Sequence, residues 1–160
     1  MSVDETLFKQ ALACFATGVT IVTTTDSSGE RRGLTANAFT SVSLNPPLVL
    51  FALDRSSSNL TAFEESSNFA INILKEEHRE LAEHFARSID NKFTQGNWGT
   101  GKTGIPVLTD ALVSIECSKW RTYDGGDHIL LLGKVEALTI NEGTPLLYYR
   151  SKLWNWPGAV

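Results

Sequence analysis

The sequence predicts a mainly β protein, an antiparallel β-barrel with peripheral helices, and three observations favour this fold. Segments rich in β-branched and aliphatic residues recur along the chain. Most of them are separated by turns rather than by regular helices, which disfavours a doubly wound parallel sheet. The length of 160 residues suits one hydrophobic core. We therefore expect a single domain over residues 1–160.

The N-terminal part predicts a short amphipathic helix and then a hairpin. Gly18 ends the helix. The β-branched run 19–25 predicts a strand, and the turn at 26–30 joins it to a partner strand over 31–37. The apolar residues that recur at helical spacing are Leu7, Ala11, Leu12 and Phe15.

The rest of the chain predicts four more strands and two more helices. The last two strands flank a glycine turn, so we expect them to pair. The second helix carries a stripe for burial made of Leu81, Ala82 and Phe85. The strands are predicted over 48–53, 69–74, 113–121 and 129–138, and the helices over 59–65 and 76–87.

Composition excludes several classes of function. The net charge is −4 and lysine and arginine do not cluster, so we expect no nucleic-acid partner. No long apolar segment follows the acidic N-terminus, so we expect a cytoplasmic protein without a membrane span. Cys14 and Cys117 lack a CxxC partner and are expected to be buried, reduced thiols. His78 and His84 lie six residues apart, off one helix face, so we expect no metal site.

Residues 96–103, GNWGTGKT, match the phosphate-binding loop pattern GxxxxGK[ST]. Such a loop needs a buried strand before it and a helix beginning at its lysine. The preceding residues are polar, and Gly104 and Pro106 would break a helix. We therefore disfavour a nucleotide hydrolase and expect a flexible surface loop.

Two polar segments at strand ends are candidate binding sites. Thr35-Ala36-Asn37-Ala38 has little side-chain bulk, so a planar ring could approach its backbone, although tight packing would explain it equally well. Asp54-Arg55-Ser56-Ser57-Ser58 gathers hydroxyls and a guanidinium before a helix. It is either an anion site or a simple N-cap loop.

The turn Tyr123-Asp124-Gly125-Gly126-Asp127-His128 places a histidine directly before an apolar strand. A ligand lying at the end of that strand would meet His128. An ordinary hairpin turn with a capping histidine is the alternative. The chain has no GxSxG motif and no cysteine with a histidine near it in sequence, so covalent catalysis has no support.

Five separate blocks, in their order along the chain, resemble the flavin reductase family. These are the short NAD(P)H-dependent flavin reductases that serve two-component monooxygenases. The resemblance extends from about residue 7 to residue 150. The blocks are FATGVTIVT at 15–23, LTANAFTSVSLNPPLV at 34–49, DRSSS at 54–58, FAINIL at 69–74 and GGDH at 125–128.

The resemblance implies a homodimeric FMN-binding split barrel with antiparallel, Greek-key strands. It implies NAD(P)H-dependent reduction of FMN or FAD, with NADH or NADPH as co-substrate, and delivery of the reduced flavin to an oxygenase component. Hydride would pass directly from nicotinamide C4 to flavin N5. A split-barrel protein that binds flavin or haem as an electron carrier is the alternative of another class.

The resemblance also assigns roles to residues of this chain. His128 would be the catalytic residue and would meet the nicotinamide nucleotide together with Tyr149 and Arg150. The flavin ring would contact Thr35, Ala36, Asn37 and Ala38, with Ser41, Val42 and Ser43 shaping the same wall. The phosphate would be held by the loop Asp54, Arg55, Ser56, Ser57 and Ser58. Phe85, Ala86, Lys92 and Phe93 would supply further flavin contacts.

Overall fold

The computed structural model describes residues 3–158, so residues 1–2 and 159–160 of the expected domain lie outside the described part. The helices are α1 (Glu5–Leu12), α2 (Leu60–Glu65) and α3 (Arg79–Phe85), with 3₁₀ turns at Glu76–His78 and Lys92–Thr94. The strands are β1 (Thr17–Gly18), β2 (Thr20–Thr25), β3 (Arg31–Ala36), β4 (Phe39–Leu44), β5 (Pro47–Asp54), β6 (Asn68–Ile73), β7 (Trp98–Thr100), β8 (Pro106–Leu108), β9 (Val113–Gly125), β10 (His128–Ile140), β11 (Leu147–Tyr149) and β12 (Lys152–Trp154).

Seven strands form one antiparallel sheet in the order β3-β2-β6-β9-β10-β5-β4. Its two edge strands, β3 and β4, are joined by only Asn37 and Ala38. The sheet must therefore curl until its edges meet, which makes a barrel that is split rather than closed by a strand pair. The expected antiparallel split barrel is confirmed, as are the two predicted hairpins, β2–β3 and β9–β10.

Aromatic rings fill the barrel interior. Phe51 on β5 is fully buried and meets Phe63 and Phe69 edge-on, with ring centroids 5.4 and 5.3 Å apart. Asn72 on β6 is also fully buried, and its Oδ1 accepts a hydrogen bond from the Leu108 N–H at 2.9 Å. This bond attaches the small β7–β8 hairpin to the barrel.

Helix α3 covers the outside of β2 and β3 and packs into a second apolar cluster with Val19 and Leu74. The predicted stripe of Leu81, Ala82 and Phe85 is buried there, as expected. The helix begins at Arg79 rather than at residue 76. A 3₁₀ turn precedes it, in which the Lys75 N–H donates to His78 Nδ1 at 3.1 Å.

Helix α1 differs from its prediction, because it ends at Leu12 rather than at Gly18, which lies in β1, and because none of its residues is buried. The stripe that should face a core is exposed, by 62% at Leu7, 57% at Leu12 and 77% at Phe15. Cys14 beside it is also exposed, which corrects the expectation that both thiols are buried. Cys117 is buried, and desolvation raises the pKa of its thiol to about 12. No helix within residues 3–158 is both long and apolar enough to cross a membrane.

Residues 96–104 are not the flexible loop that the sequence predicted. They enter the β7–β8 hairpin, and the chain after Lys102 continues into strand β8 instead of a helix. The carboxylate of buried Glu116 accepts hydrogen bonds from the Thr103 N–H at 2.7 Å and the Thr103 hydroxyl at 2.8 Å. The loop thus holds an anion belonging to the protein itself, and the phosphate-binding-loop hypothesis is wrong.

Candidate functional site

Two cavities lie along strand β3. The smaller, of about 250 Å³, is at the end of β3 and is lined there by residues 35–37. The larger is an open cleft of about 1060 Å³ beside the start of β3, bordered by residues 29–33, 58–59 and 88–94. A ligand that occupies both cavities therefore runs along β3.

The short link between β3 and β4 reaches the smaller cavity through Asn37, whereas its second residue, Ala38, does not line the cavity. Among residues 3–158, the backbone N–H groups of Asn37 and Ala38 donate to no other protein group, and neither does the Asn37 amide. The hydroxyl of Thr35, in contrast, donates to the Ala82 carbonyl at 2.6 Å. Thr20 likewise donates to the Ala36 carbonyl at 2.7 Å. These side chains hold the link in place and leave its N–H groups for a ligand.

Small residues and the C-terminal hairpin form the walls of the smaller cavity. Ala82 on α3 and Ala86 directly after it line the cavity together with Tyr148 of β11 and Leu153 of β12. Arg79 attaches this hairpin to α3, since its Nη1 donates to the Leu153 carbonyl at 2.8 Å. The lining away from residues 35–37 is therefore mostly apolar, with Glu83 as a charged member.

Tyr148, and not the predicted Tyr149, lines this cavity. Successive side chains of a strand point to opposite sides, so only one of the two tyrosines of β11 can face inward. Arg150 follows in a left-handed conformation with φ of 48°, and its guanidinium carbon lies 5.4 Å from the centre of the Tyr149 ring. Neither Tyr149 nor Arg150 borders either cavity, and their proposed contact with a nicotinamide nucleotide stays a prediction.

The loop after β5 is held by its own hydrogen bonds. Asp54 Oδ1 accepts from both the N–H and the hydroxyl of Ser56 at 2.7 Å. These bonds, with the charge of nearby His128, lower the pKa of Asp54. The Ser57 hydroxyl accepts a hydrogen bond from the Asn59 N–H at 3.2 Å. Of residues 54–58, only Ser58 borders the larger cleft.

Arg55 is directed away from that cleft and toward the tip of the β9–β10 hairpin. Its Nε donates to the Gly126 carbonyl at 2.9 Å, and its Nη2 lies 2.5 Å from Asp124 Oδ1. Its backbone N–H donates to the Asp127 carbonyl at 2.9 Å. The structure therefore gives Arg55 a partner other than the phosphate that the sequence suggested.

Lys92 and Phe93 border the larger cleft, and Phe85 does not. Phe85 is fully buried against the ring of Phe93, with centroids 5.1 Å apart, so it supports the site without touching a ligand. Lys92 Nζ donates to the Phe85 carbonyl at 3.0 Å and to the Gly33 carbonyl at 3.3 Å. Burial lowers the pKa of Lys92.

His128 begins β10 and lies opposite Asp54 in the register with β5. Its Nδ1 is 2.7 Å from Asp127 Oδ1, so this carboxylate orients the ring and leaves Nε2 for another partner. The side chain is 37% exposed. His128 borders neither cavity, so among the predicted flavin contacts it lies near Asp54 and not at the residues that line the two cavities.

Ser41, Val42 and Ser43 lie on β4, at the opposite edge of the sheet from β3. The register with β5 shifts between Ser41 and Ser43, so Val42 is the extra residue of a bulge. None of the three borders either cavity. The flavin wall that the resemblance assigns to these three residues therefore stays a prediction.

Several lining residues were missed from the sequence. They are Val19, Ala82, Glu83, Tyr148 and Leu153 at the smaller cavity and Arg31 and Arg32 at the larger one. Arg31 and Arg32 could have been recognised from the sequence as candidate site residues, because two adjacent arginines directly follow the turn of the first hairpin. The others depend on how α3 and the C-terminal hairpin pack, which no local motif indicates.

Comparison with known proteins shows which family this chain resembles in sequence. The family described as flavin reductase like domain matches residues 12–157. The chain is 39% identical over 152 residues to the reductase subunit HsaB of a flavin-dependent monooxygenase from Rhodococcus jostii, covering 94% of this chain and 77% of that protein. It is 39% identical over 141 residues to the FMN reductase (NADH) SmoA of Agrobacterium fabrum, covering 88% of this chain and 80% of that one.

A solved structure shares the fold. The NADH:FAD oxidoreductase SgcE6 of Streptomyces globisporus, in complex with NAD and FAD fragments, superposes with a TM-score of 0.92 at 34% identity, covering 98% of this chain and 96% of that one. Some relatives are longer. The chain spans 43% of the length of a relative from Rhizobium meliloti and 46% of one from Acinetobacter baylyi.

Proposed function

We propose, because this chain belongs to the flavin reductase like domain family, that it is an NAD(P)H:flavin oxidoreductase. It reduces FMN or FAD with NADH or NADPH and supplies the reduced flavin to the oxygenase component of a two-component monooxygenase. The names of its relatives confirm the family resemblance seen in the sequence. One observation in this molecule carries the proposal: the backbone N–H of Asn37, which has no protein acceptor within residues 3–158, lies at the edge of a mostly apolar cavity that Asn37 helps to line.

The residues present fit a flavin. The pyrimidine edge of its ring system carries carbonyl oxygens, which accept hydrogen bonds, and the link 37–38 offers N–H donors at one edge. Alanines 82 and 86 leave space for a planar ring, and Tyr148 and Leu153 supply apolar surface. Ser58 and Lys92 border the adjoining cleft, where a hydroxyl and a cation suit the flavin phosphate.

A flavin accepts a hydride at N5 directly from C4 of a reduced nicotinamide. The protein's part is therefore to position two substrates and to exclude water, rather than to supply a strong acid, base or nucleophile. Thr35 and Thr20 fix the backbone that meets the ring edge. His128, oriented by Asp127, offers its free Nε2 to the nicotinamide nucleotide.

Binding and turnover measurements test this function. The purified protein should quench FMN or FAD fluorescence on titration and should oxidise NADH or NADPH only when flavin is added. Ala86→Trp should fill the smaller cavity and abolish flavin binding, because Ala86 lines it at an exposed position. Arg87→Trp is the matched control, since Arg87 is exposed and lines neither cavity.

Each outcome separates the candidate functions. Equal flavin affinity in the two tryptophan variants would show that flavin does not use this cavity. A protein that retains flavin tightly and oxidises neither NADH nor NADPH would instead be an electron carrier.

The homodimer is supported by helix α1. Leu7, Phe8 and Leu12 of this helix and Phe15 just after it are all exposed, and several exposed large apolar side chains in one segment are typical of a surface covered by another chain. Light scattering after size exclusion should report a dimer for the parent and a monomer for Leu12→Asp. Gln10→Asp, on a polar position of the same helix, should remain dimeric. A monomeric parent would contradict the dimer.

A further inference from the structure

The larger cleft exceeds what a single phosphate group needs. At about 1060 Å³ it is at the upper end of the range of small-molecule sites, about 300–1,000 Å³. Its rim is polar and charged, with Glu30, Arg31, Arg32, Asp90 and Lys92 among the residues that border it. Such a rim suits a polar, phosphate-bearing ligand better than an apolar one.

Two of the three cations at this rim already have partners. Arg32 Nε lies 2.8 Å from Asp26 Oδ2, and Lys92 Nζ donates to the Phe85 and Gly33 carbonyls. Arg31 differs, because its guanidinium makes no ion pair and no side-chain hydrogen bond within residues 3–158. An unoccupied guanidinium on the rim of a cleft is suited to bidentate contact with a phosphate.

The position of Arg31 along β3 places it beyond the first phosphate. Strand β3 runs from Arg31 at the cleft to Thr35 at the smaller cavity, four residues and about 13 Å apart at the strand rise. Ser58 and Lys92 border the same cleft as Arg31. A ligand with its ring at residues 35–37 and its first phosphate at Ser58 and Lys92 has room to continue toward Arg31.

We propose that this cleft holds the adenosine monophosphate half of a dinucleotide and that Arg31 contacts its phosphate. The inference rests on the proposed function, which supplies such dinucleotides as FAD and as NADH or NADPH. FMN and reduced nicotinamide mononucleotide carry the same reactive rings without the adenosine half. Arg31 is then a specificity residue that favours dinucleotides over mononucleotides.

Matched pairs of ligands test this role in Arg31→Ala. Dissociation constants for FMN and FAD come from flavin fluorescence, and KM values are compared for NADH and reduced nicotinamide mononucleotide. We expect the dissociation constant or KM of one dinucleotide to rise about tenfold, the equivalent of one charge-assisted hydrogen bond, and the same constant for its mononucleotide to change by less than twofold. Arg121→Ala is the control, because Arg121 is exposed on β9 and borders neither cavity.

The two arms identify the source of the adenosine half. If only the affinity for FAD falls, the cleft is assigned to FAD. If only the KM for NADH rises, the cleft is assigned to the nicotinamide nucleotide. Equal weakening of a dinucleotide and its mononucleotide, or no change with any of the four ligands, would overturn the inference. Free AMP should compete with the assigned dinucleotide in the parent and not in Arg31→Ala.

Failure of the inference is distinguishable from failure of the proposed function. A parent that binds FMN and oxidises NADH with it, while Arg31→Ala behaves like the parent with every ligand, would overturn only the adenosine site. A parent that binds neither flavin would overturn both. Arg31→Glu provides a second variant, and it should discriminate against the same dinucleotide more strongly than Arg31→Ala.

Discussion

Arg55 and Asp124 form an ion pair, with Nη2 2.5 Å from Oδ1, that joins the loop after β5 to the tip of the β9–β10 hairpin. The Arg55 Nε bond to the Gly126 carbonyl strengthens the same connection. His128 begins the second strand of that hairpin. Arg55 therefore positions the segment that carries His128, whereas the sequence alone suggested direct contact with phosphate.

We expect Asp124→Ala to raise the KM for NADH by about two- to fivefold, as for loss of an exposed ion pair, and Arg55→Ala to raise it somewhat more, because it also removes the bond to the Gly126 carbonyl. Because Arg55→Ala already removes both bonds, the double variant should be no worse than Arg55→Ala alone. Flavin affinity should change little. Steady-state kinetics and flavin titration check this, and a loss of flavin affinity in Arg55→Ala but not in Asp124→Ala would restore the phosphate role.

The interior predicts an effect at Gly133. A Cβ added there would lie 2.5 Å from Phe69 Cζ and 2.7 Å from Cys117 Cβ, both in the barrel core. Gly133→Ala should therefore lower the free energy of unfolding by about 1–3 kcal/mol through overpacking. Gly18→Ala is the control, since a Cβ there meets nothing within 4 Å. Denaturant unfolding should separate the two variants, and equal stabilities would contradict the packing described.

The bond between Glu116 and the 101–103 loop predicts a pH dependence of stability. Burial alone would raise the pKa of Glu116, but hydrogen bonds from the Thr103 N–H and hydroxyl and from the Lys102 N–H outweigh it and lower the pKa. Because the pKa of Glu116 is lower in the folded state than the unfolded value of 4.5, its carboxylate stabilises the fold. This contribution is complete at pH values well above 4.5 and is lost as the pH falls through the folded-state pKa.

Thermal melts of the parent and Glu116→Gln, recorded from about pH 7 down to about pH 3, should show this. The stability difference between them should be largest near neutral pH and should shrink as the pH falls. Glu142→Gln, at an exposed position, should follow the parent throughout. A difference that stays constant with pH would show that the Glu116 carboxylate does not stabilise the loop through its charge.

Local sequence signals predicted the elements that local chemistry determines. The β-branched run of β2 and the glycine turn before His128 both formed the expected hairpins. Strand β4 was missed because its bulge at Val42 interrupts the alternation that a strand normally shows. The 96–104 segment was misread because Glu116, which holds it, comes from a distant strand.

In the candidate site, too, the residues of one local segment could be predicted from the sequence, whereas those brought together by packing could not. Residues 35–37 lie on one short segment and could be found by their lack of bulk. Tyr148 was missed because the side of β11 that faces the cavity depends on the pairing of β11 with β1. The apolar stripe of α1 stays exposed within residues 3–158, and the spacing of its residues alone does not indicate which surface it faces.

The final prediction concerns His128, which lies outside both cavities and beside Asp127. His128→Ala should raise the KM for NADH about two- to tenfold, the equivalent of one lost hydrogen bond, and leave the flavin dissociation constant within twofold. Asp127→Ala should have a smaller effect of the same kind, since it removes only the group that orients the ring. Kinetics with NADH are compared with a thermal melt of each variant. If His128 merely caps the turn, its loss would lower the melting temperature and leave turnover per folded molecule unchanged, and that result would exclude a role in nicotinamide binding.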